Sequence, residues 1–468
     1  MKITKPKKDD EQTIQDVDFP VVEPHAFFAW FYHNRRPHFV KQFLGGDETG
    51  GALKSFWSEV IARKDPRLEG HDFKSRPPNW QLKAVPGSLH GDAVPCVQVG
   101  KPNTKSYDCY SMQGTLGKGP TLEQKHYIMG FFSLSEVHED ELEPGAGGTM
   151  HATFTHLLWS FWFLYLGIWP TVQPDGAPWP EGSVEANKAG TPLADGYFFV
   201  LWGIKADLDH LAKAFGLSHY GSNKPCCLCP CEAGKNVDPG MSYTNFGSSS
   251  KWTHMFYTHT VWKNMNPNPF YLFQLPFMSV LNVEPDELHV VHLGTSMYFL
   301  GSVLWMLCYL MMPDSPSQNM KSLWLLIVQQ YRTMHVKCQF GNLTLSSFTD
   351  PDRPGKHYPK LKGKGAEVKD LMLPMLHIWQ AQHNARDNSH ALVFSALQHM
   401  CSLQKNLHDH ATEALLPRQV AHDFQNSVVA FLSDYVRFLI INKNHQEHQI
   451  YKNQSKISQK TIKKLMVF

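Results

Sequence analysis

The sequence carries little net charge, which limits what its overall composition can say about partners. Its 468 residues include 44 Lys and Arg against 42 Asp and Glu, a formal net charge of +2. Whole-chain electrostatics therefore does not identify a nucleic-acid binder, and any basic surface must be local. A charge run is as often only a solvated face or tail. The local candidates are the basic stretches Lys2–Lys8, Asn34–Arg36, Lys356–Lys364 and Lys452–Lys464.

Signals for export and for membrane insertion are also missing. Residues 1–15 are polar and contain no apolar core of a signal peptide, so we expect an intracellular, reducing compartment. His156–Trp169 is apolar but shorter than the ~20 residues that span a bilayer. Leu293–Met312 has the length, but Gly, Ser and Thr interrupt it. We expect both stretches to be buried helices, with no membrane partner.

The composition is that of a globular protein, with 42% hydrophobic and 18% charged residues. The length allows two or three structural parts, and the sequence contains no internal repeat. The expected parts are a region of unknown role (1–80), the first part of an α/β core (81–225), a zinc knot with a helical insertion (226–350), a return to the core with C-terminal helices (351–441) and a polar, lysine-rich tail (442–468).

The pattern of apolar residues predicts a mixed sheet followed by a helical half. A continuous apolar run such as Tyr197–Ile204 is typical of a strand buried on both faces. Strand, strand, strand, helix, strand and helix in this order indicate an α/β core. The other predicted elements of that core are the strands Val94–Val99, Tyr107–Gln113 and Tyr127–Phe132 and the helices Thr149–Gly167 and Leu208–Phe215. The later helices are predicted at Asp286–Met312, Lys321–Tyr331, Ala366–Ala385, Ala391–Asn406 and Pro417–Ile441.

Three carboxylates occupy positions from which they could converge. Asp92 follows Leu89-His90-Gly91 on a strand, Asp207 ends the most apolar strand, and Glu367 opens a helix. Hard divalent cations such as Mg²⁺ prefer oxygen ligands, and a pair of them can drive phosphodiester chemistry. Each residue alone is more often a helix cap or a partner of the helix dipole.

Four of the nine cysteines fall in the short segment Cys226-Cys227-Leu228-Cys229-Pro230-Cys231. Two thiolates across a tight turn suit a tetrahedral Zn²⁺, which needs two further ligands. His289 and His292 lie three residues apart on one helical face and could supply them. We expect a structural zinc held by Cys226, Cys229, His289 and His292. The spacing leaves open which of the four cysteines bind the metal. The alternative without a metal site is that the cysteines are buried thiols and the histidines lie on the surface of a helix.

The order of these motifs resembles that of DDE transposases of the CACTA and Plavaka type, over roughly residues 85–385. No single motif is specific, but their succession is more so. The matching segments are Leu89-His90-Gly91-Asp92, Gly203-Ile204-Lys205-Ala206-Asp207-Leu208, Pro225-Cys226-Cys227-Leu228-Cys229, Asp286-x-x-His289 and Gly363-Lys364-Gly365-Ala366-Glu367.

The resemblance implies a ribonuclease-H-like core whose mixed sheet is interrupted by a helical insertion. It makes Asp92, Asp207 and Glu367 the catalytic triad, with Mg²⁺ or Mn²⁺ as cofactor, and Asp286 with His289 the D-x-x-H motif. The zinc role of the cysteines and histidines is similar to that in the related recombinase core of antigen-receptor rearrangement. The resemblance also implies that the chain binds DNA, that it can associate with a second copy of itself, and that it is located in the nucleus.

The sequence also departs from the family pattern. The chain turns polar and lysine-rich after Ile441, Cys227 is an extra cysteine, and the N-terminal region shows no zinc finger or helix-turn-helix pattern. We therefore expect a transposase-derived enzyme for metal-dependent DNA strand cleavage and transfer, or alternatively a catalytically inactive, transposon-derived nucleic-acid-binding protein with a structural zinc. A third alternative is a membrane-associated helical protein built on Leu293–Met312.

Overall fold

A computed structural model describes residues 2–7, 10–97, 105–132, 148–354 and 357–444. The chain divides into two compact units, neither of them continuous in sequence. The first comprises Met1–Leu217 and Tyr257–Glu284, and the second comprises Ser218–Phe256 and Pro285–Phe468.

The first unit contains the strands and the shorter helices. The strands are β1 (Lys2–Lys7), β2 (Asp10–Asp18), β3 (Ala84–Val97), β4 (Lys105–Gly114), β5 (His126–Phe132), β6 (Phe198–Ala206) and β7 (Val283–Pro285). The helices are α1 (Pro24–Asn34), α2 (Arg36–Phe43), α3 (Gly51–Ala62), α4 (Thr121–Gln124), α5 (Thr149–Leu166), α6 (Val184–Lys188), α7 (Leu208–Phe215) and α8 (His259–Met265).

The main sheet is mixed, with the strand order β5-β4-β3-β6-β7. Strand β3 is antiparallel to β4, which is antiparallel to β5, whereas β3 and β6 run parallel. Eight of the nine residues of β6 are buried, because β6 lies inside the sheet and apolar side chains cover both of its faces. The predicted α/β core with a mixed sheet is thus confirmed. Four of its strands begin and end within a few residues of the predicted bounds, except that β3 begins earlier, at Ala84, and the fifth strand, β7, was not predicted.

Residues 1–80, the region of unknown role, form part of this first unit. Strands β1 and β2 pair as an antiparallel hairpin. Helices α1, α2 and α3 contact α5, β4 and β3 respectively. Aromatic rings carry this packing, since Phe28 and Phe43 both lie against Phe199 of β6, with centroid distances of 6.2 Å. The indole Nε1 of Trp57 donates to the Ala84 carbonyl at 2.8 Å, which fixes α3 to the start of β3.

The second unit is built mainly from long helices. These are α9 (Leu288–Met311), α10 (Pro316–Thr333), α11 (Gly365–Gln382), α12 (Asn388–Asp409) and α13 (Arg418–Asn444). Helix α9 is π-helical over Leu288–Ser296 and again over Leu307–Met311. Its length and composition would suffice to cross a membrane, but 89% of its most apolar window is buried inside the protein. That burial is what a core helix of this length requires, and it agrees with the expectation of a buried helix.

Candidate metal centres

Asp92 lies on β3, and Asp207 directly follows the neighbouring parallel strand β6, where it is the N-cap residue of α7. The register pairs His90 of β3 with Lys205 of β6, so Asp92 and Asp207 each follow two residues later. Side chains two residues apart share a face of a sheet, and neighbouring strands lie about 4.8 Å apart. Both residues are half-buried. The two predicted aspartates therefore come together at one edge of the sheet.

His210, from the first turn of α7, lies close to both carboxylates. Its backbone N–H donates to Oδ1 of Asp207 at 2.6 Å, so Asp207 caps α7. Burial lowers the pKa of the His210 imidazole, and the charges of Asp207 and Asp92 act in the opposite direction. The imidazole Nε2 is buried and has no hydrogen-bond partner within the described residues. A neutral ring thus lies beside two carboxylates.

Two basic side chains near these aspartates, Lys205 and Arg67, form ion pairs with Glu284. Lys205 places its Nζ 3.4 Å from Oε2 of Glu284. Arg67 approaches Oε1 of the same carboxylate at 3.4 Å and also pairs with Asp65 at 2.7 Å. Glu284 faces Gly203, where a Cβ atom would lie 2.7 Å from its carboxyl carbon. These contacts join β6 to β7 and to the segment between α3 and β3.

Glu367, the third predicted carboxylate, belongs to the second unit, on the first turn of α11. Its Oε2 accepts the backbone N–H of Lys364 at 2.8 Å. This is the contact of a residue that satisfies a helix N-terminus. The role of Glu367 beside Asp92 and Asp207 stays a prediction.

Three thiols in the second unit form a compact, buried group. The sulfur atoms of Cys226, Cys229 and Cys231 all lie within 4.8 Å of one another. The N–H of Leu228 donates to the sulfur of Cys226 at 3.3 Å. A backbone N–H that points at sulfur favours the thiolate, which is the form that binds metal. The donor set fits a soft, thiol-preferring ion such as Zn²⁺.

The three thiols share protons unequally. Hydrogen bonds from the thiols of Cys229 and then Cys231 hold the pKa of Cys226 well below its usual range. The same hydrogen bonds raise the pKa of Cys229 to about 12 and raise the pKa of Cys231. These opposite shifts favour the thiolate form at Cys226 and the thiol form at Cys229 and Cys231. A metal ion would replace those two protons, so binding would release them.

The group of thiols differs from the predicted ligand set in two respects. Within the described residues it includes Cys231, and it includes neither His289 nor His292. The histidines contact carboxylates close to them in sequence. Nδ1 of His289 hydrogen-bonds to Asp286, and Nε2 of His292 lies 3.0 Å from Oε1 of Glu287.

The D-x-x-H motif consequently has a local structural role. Asp286 accepts the backbone N–H groups of Leu288 and His289 at 3.2 and 3.3 Å, which caps the start of α9. Although burial acts to raise it, the pKa of Asp286 is lowered, because His289 hydrogen-bonds to the carboxylate.

Sequence reasoning did not single out His210 or Gly91, and it left the role of Cys231 open. The first had a signal, since the spacing Asp207-x-x-His210 places both residues on one helical turn. Gly91 precedes Asp92 directly, and a glycine inside a strand often marks a close approach. Cys231 was one of the four cysteines that the spacing left undecided.

No protein-family model matches this chain, and no curated protein matches its sequence. The site is therefore interpreted from its own geometry and chemistry.

Proposed function

We propose that the chain is a transposase-derived enzyme that cleaves and transfers DNA strands with the help of Mg²⁺ or Mn²⁺. In this proposal the mixed sheet is a ribonuclease-H-like core, and Asp92, Asp207 and Glu367 are its catalytic carboxylates. The single observation that carries the proposal is that Asp92 of β3 and Asp207, just after the parallel strand β6, both lie near enough to His210 to act on its charge. The sheet order supports it, because the strand that bears Asp92 is central in the sheet.

The two aspartates present hard oxygen donors, which suit a small divalent cation. A cation held there would activate an attacking oxygen and stabilise the leaving one at a phosphodiester. Asp207 has one oxygen committed to the α7 N-terminus, which orients its carboxylate. His210 stands beside both carboxylates as a positioning residue, and its buried ring excludes water from their protein side.

Purified protein carrying Asp207→Asn tests the proposal directly. Asparagine retains the ability to cap α7 but is a poor metal ligand, so folding should persist while activity falls. We expect Mg²⁺-dependent nicking of duplex DNA to drop at least about 100-fold, in the range of mutations at catalytic groups. Asp209→Asn, two residues along the same helix, is the matched control and should keep the activity. Undiminished nicking by the Asp207 variant would contradict the assignment.

The alternative is a transposon-derived protein that binds nucleic acid, keeps a structural zinc and cleaves nothing. One observation favours it. Within the described residues the cysteine group has all its ligand atoms close together, whereas no group of three carboxylates does. Metal-dependent nicking of DNA by the wild-type protein distinguishes the two functions. If the alternative holds, the wild-type protein binds DNA and zinc but does not nick DNA.

A further inference from the structure

We propose that Lys360, Lys362 and Lys364 form a fixed strip that binds the phosphate backbone of DNA. The strip lies on the segment that leads into α11 in the second unit. The proposal rests on the proposed function only in that DNA is the polyanion. It adds a contact surface that lies apart in sequence from the carboxylates of the sheet.

Lys360 and Lys362 share one side of their segment because the chain is extended at Leu361, and Lys364 follows after a bend at Gly363. The N–H groups of Lys360 and Lys362 donate to the carbonyls of Phe348 and Ser347, at 2.8 and 2.7 Å. The N–H of Leu361, between them, donates at 2.9 Å to a carbonyl of α9. Alternating N–H directions are those of a strand, in which every second side chain shares a face. Leu361 is fully buried, whereas the lysines are exposed.

The spacing of this strip matches a nucleic-acid strand. Alternate residues of an extended chain lie about 6.6 Å apart. Successive phosphates along one strand of DNA have a comparable separation, so neighbouring lysines can each face one phosphate. Lysine binds phosphate as a point charge with three donors, and tolerates variation in the geometry of the backbone.

The segment is held rigidly in place by close packing on α9. A Cβ atom at Gly301 would lie 2.9 Å from the backbone nitrogens of both Lys360 and Leu361. The helix can therefore approach the backbone of the strip only because residue 301 is glycine. A strip that is ordered before binding loses less conformational entropy when a ligand arrives.

The positive charges of the strip are available to a ligand. Nζ of Lys362 donates to the Ser346 carbonyl at 3.1 Å, and Nζ of Lys360 lies 5.2 Å from the centre of the Tyr298 ring. Neither contact neutralises an ammonium group. In the described part of the chain no carboxylate forms an ion pair with these amines. The neighbouring Asp350 pairs with Arg353 at 3.6 Å.

The segment also ends at the N-terminus of an 18-residue helix, α11. Because the Glu367 carboxylate accepts a backbone N–H at that end, the positive charge of the strip comes from the lysines themselves. Glu367 occupies the first turn of the same helix, three residues after Lys364. A DNA strand on the strip would therefore pass beside the predicted third carboxylate.

The triple variant Lys360→Gln, Lys362→Gln, Lys364→Gln tests the strip through salt dependence. Binding of full-length protein to a mixed-sequence DNA duplex would be measured by fluorescence anisotropy between about 50 and 200 mM salt. Each phosphate contact contributes about 0.9 to the slope of log K against log salt. We expect the slope to flatten by about 2 to 3 and the affinity to fall equally for all sequences.

A second triple variant serves as the control for charge alone. Lys235→Gln, Lys321→Gln and Lys337→Gln remove three exposed ammonium groups of the same unit at scattered positions. An equal loss of slope in the control, or an unchanged slope in the strip variant, overturns the proposal. Unaltered thermal unfolding of both variants ensures that folding is not the cause.

Two further arms separate this proposal from others. Vesicles of phosphatidylserine test a membrane surface: if the strip variant loses vesicle binding while its DNA slope is unchanged, the DNA assignment is overturned. Nicking activity separates the strip from the proposed enzyme. If the wild-type chain does not nick DNA but the strip variant loses DNA binding, the proposed enzyme activity is contradicted and the DNA-binding strip is supported. If the wild-type chain nicks DNA and the strip variant keeps the salt slope of the wild type, the enzyme activity is supported and the strip is contradicted.

Discussion

A Cβ atom at Gly91 would lie 2.6 Å from Nε2 of His210. That distance is shorter than real contacts of this kind, so β3 passes α7 only because position 91 has no side chain. The same Cβ atom would also lie 3.0 Å from Cε1 of the Tyr110 ring. Since Asp92 follows Gly91 directly, the position of this carboxylate depends on the close contact between strand and helix.

We predict that Gly91→Ala destabilises the first unit and impairs any activity of the aspartates. The added methyl group must displace His210 or β3, and overpacking of this kind costs about 1–3 kcal/mol. The free energy of unfolding, measured with urea, should fall by that amount. Gly341→Ala is the matched control, because a Cβ atom there meets nothing within 4 Å. Equal stability of the two variants would show that the contact is not tight in solution.

Acid should destabilise the protein through buried histidines. The His25 ring lies between Trp159 and Trp169, with Nδ1 2.8 Å from Oγ of Ser160. Burial lowers the pKa of His25 from 6.5 to about 4, although the Glu23 carboxylate acts to raise it. Burial likewise lowers the pKa of His126 to about 4.

The sign of this pH effect follows from proton binding. Between pH 6.5 and about 4 the unfolded chain binds a proton that folded His25 does not. Stability is therefore full above the unfolded pKa and is lost as the pH falls, by up to about 1.4 kcal/mol per pH unit for each such group. Urea unfolding at several pH values should show a shallower dependence for His25→Gln than for the wild type. Identical slopes would mean that His25 is protonated in the folded state.

Zinc content should depend on Cys231 and not on Cys227. Cys231 belongs to the compact group of thiols, and Cys227 does not. We expect Cys231→Ser to lower the zinc content of purified protein and Cys227→Ser to leave it unchanged. Metal analysis after dialysis measures both. The double variant His289→Ala, His292→Ala decides the remaining question: retained zinc would agree with the geometry, and lost zinc would restore the predicted Cys₂His₂ site.

The end of α9 should depend on one buried amide. The two N–H groups on Nδ2 of Asn319 are shared among the carbonyls of Cys308, Met312 and Asp314, which lie 2.9, 3.0 and 2.8 Å away. Carbonyls at a helix C-terminus have no partner within the helix, and each one left unpaired when buried costs about 1–3 kcal/mol. We expect Asn319→Ala to lower the free energy of unfolding by about 3 kcal/mol. Ser322→Ala, at an exposed position of α10, should change it little.

The sequence predicted the regular elements of the sheet better than the ligand sets. The apolar run of β6 and the helix Leu208–Phe215 follow from local patterns, and the structure places both as expected. Helices α1 and α2 gave no comparable signal, because their aromatic side chains are fixed by rings far away in sequence, such as Phe199. Proximity of that kind is a tertiary property.

The ligand sets show the same limit at a finer scale. The spacing of the cysteines indicated a metal site but could not choose among four thiols, since the path of a turn decides which sulfur atoms meet. His289 and His292 had suitable spacing, but the carboxylates of Asp286 and Glu287 compete for their nitrogens. A motif gives the available donors, and only the backbone conformation determines their partners.

The division of the chain has a consequence for its synthesis. The ribosome makes Ser218–Phe256, which contains all four clustered cysteines, before it makes Tyr257–Glu284, which completes the first unit with β7. The sheet therefore cannot be completed by β7 until after the cysteine-containing segment has been synthesised. A zinc ion captured at that stage would hold the segment Ser218–Phe256 together before the rest of its own unit has been synthesised. Neither unit can be produced by cutting the gene at a single point.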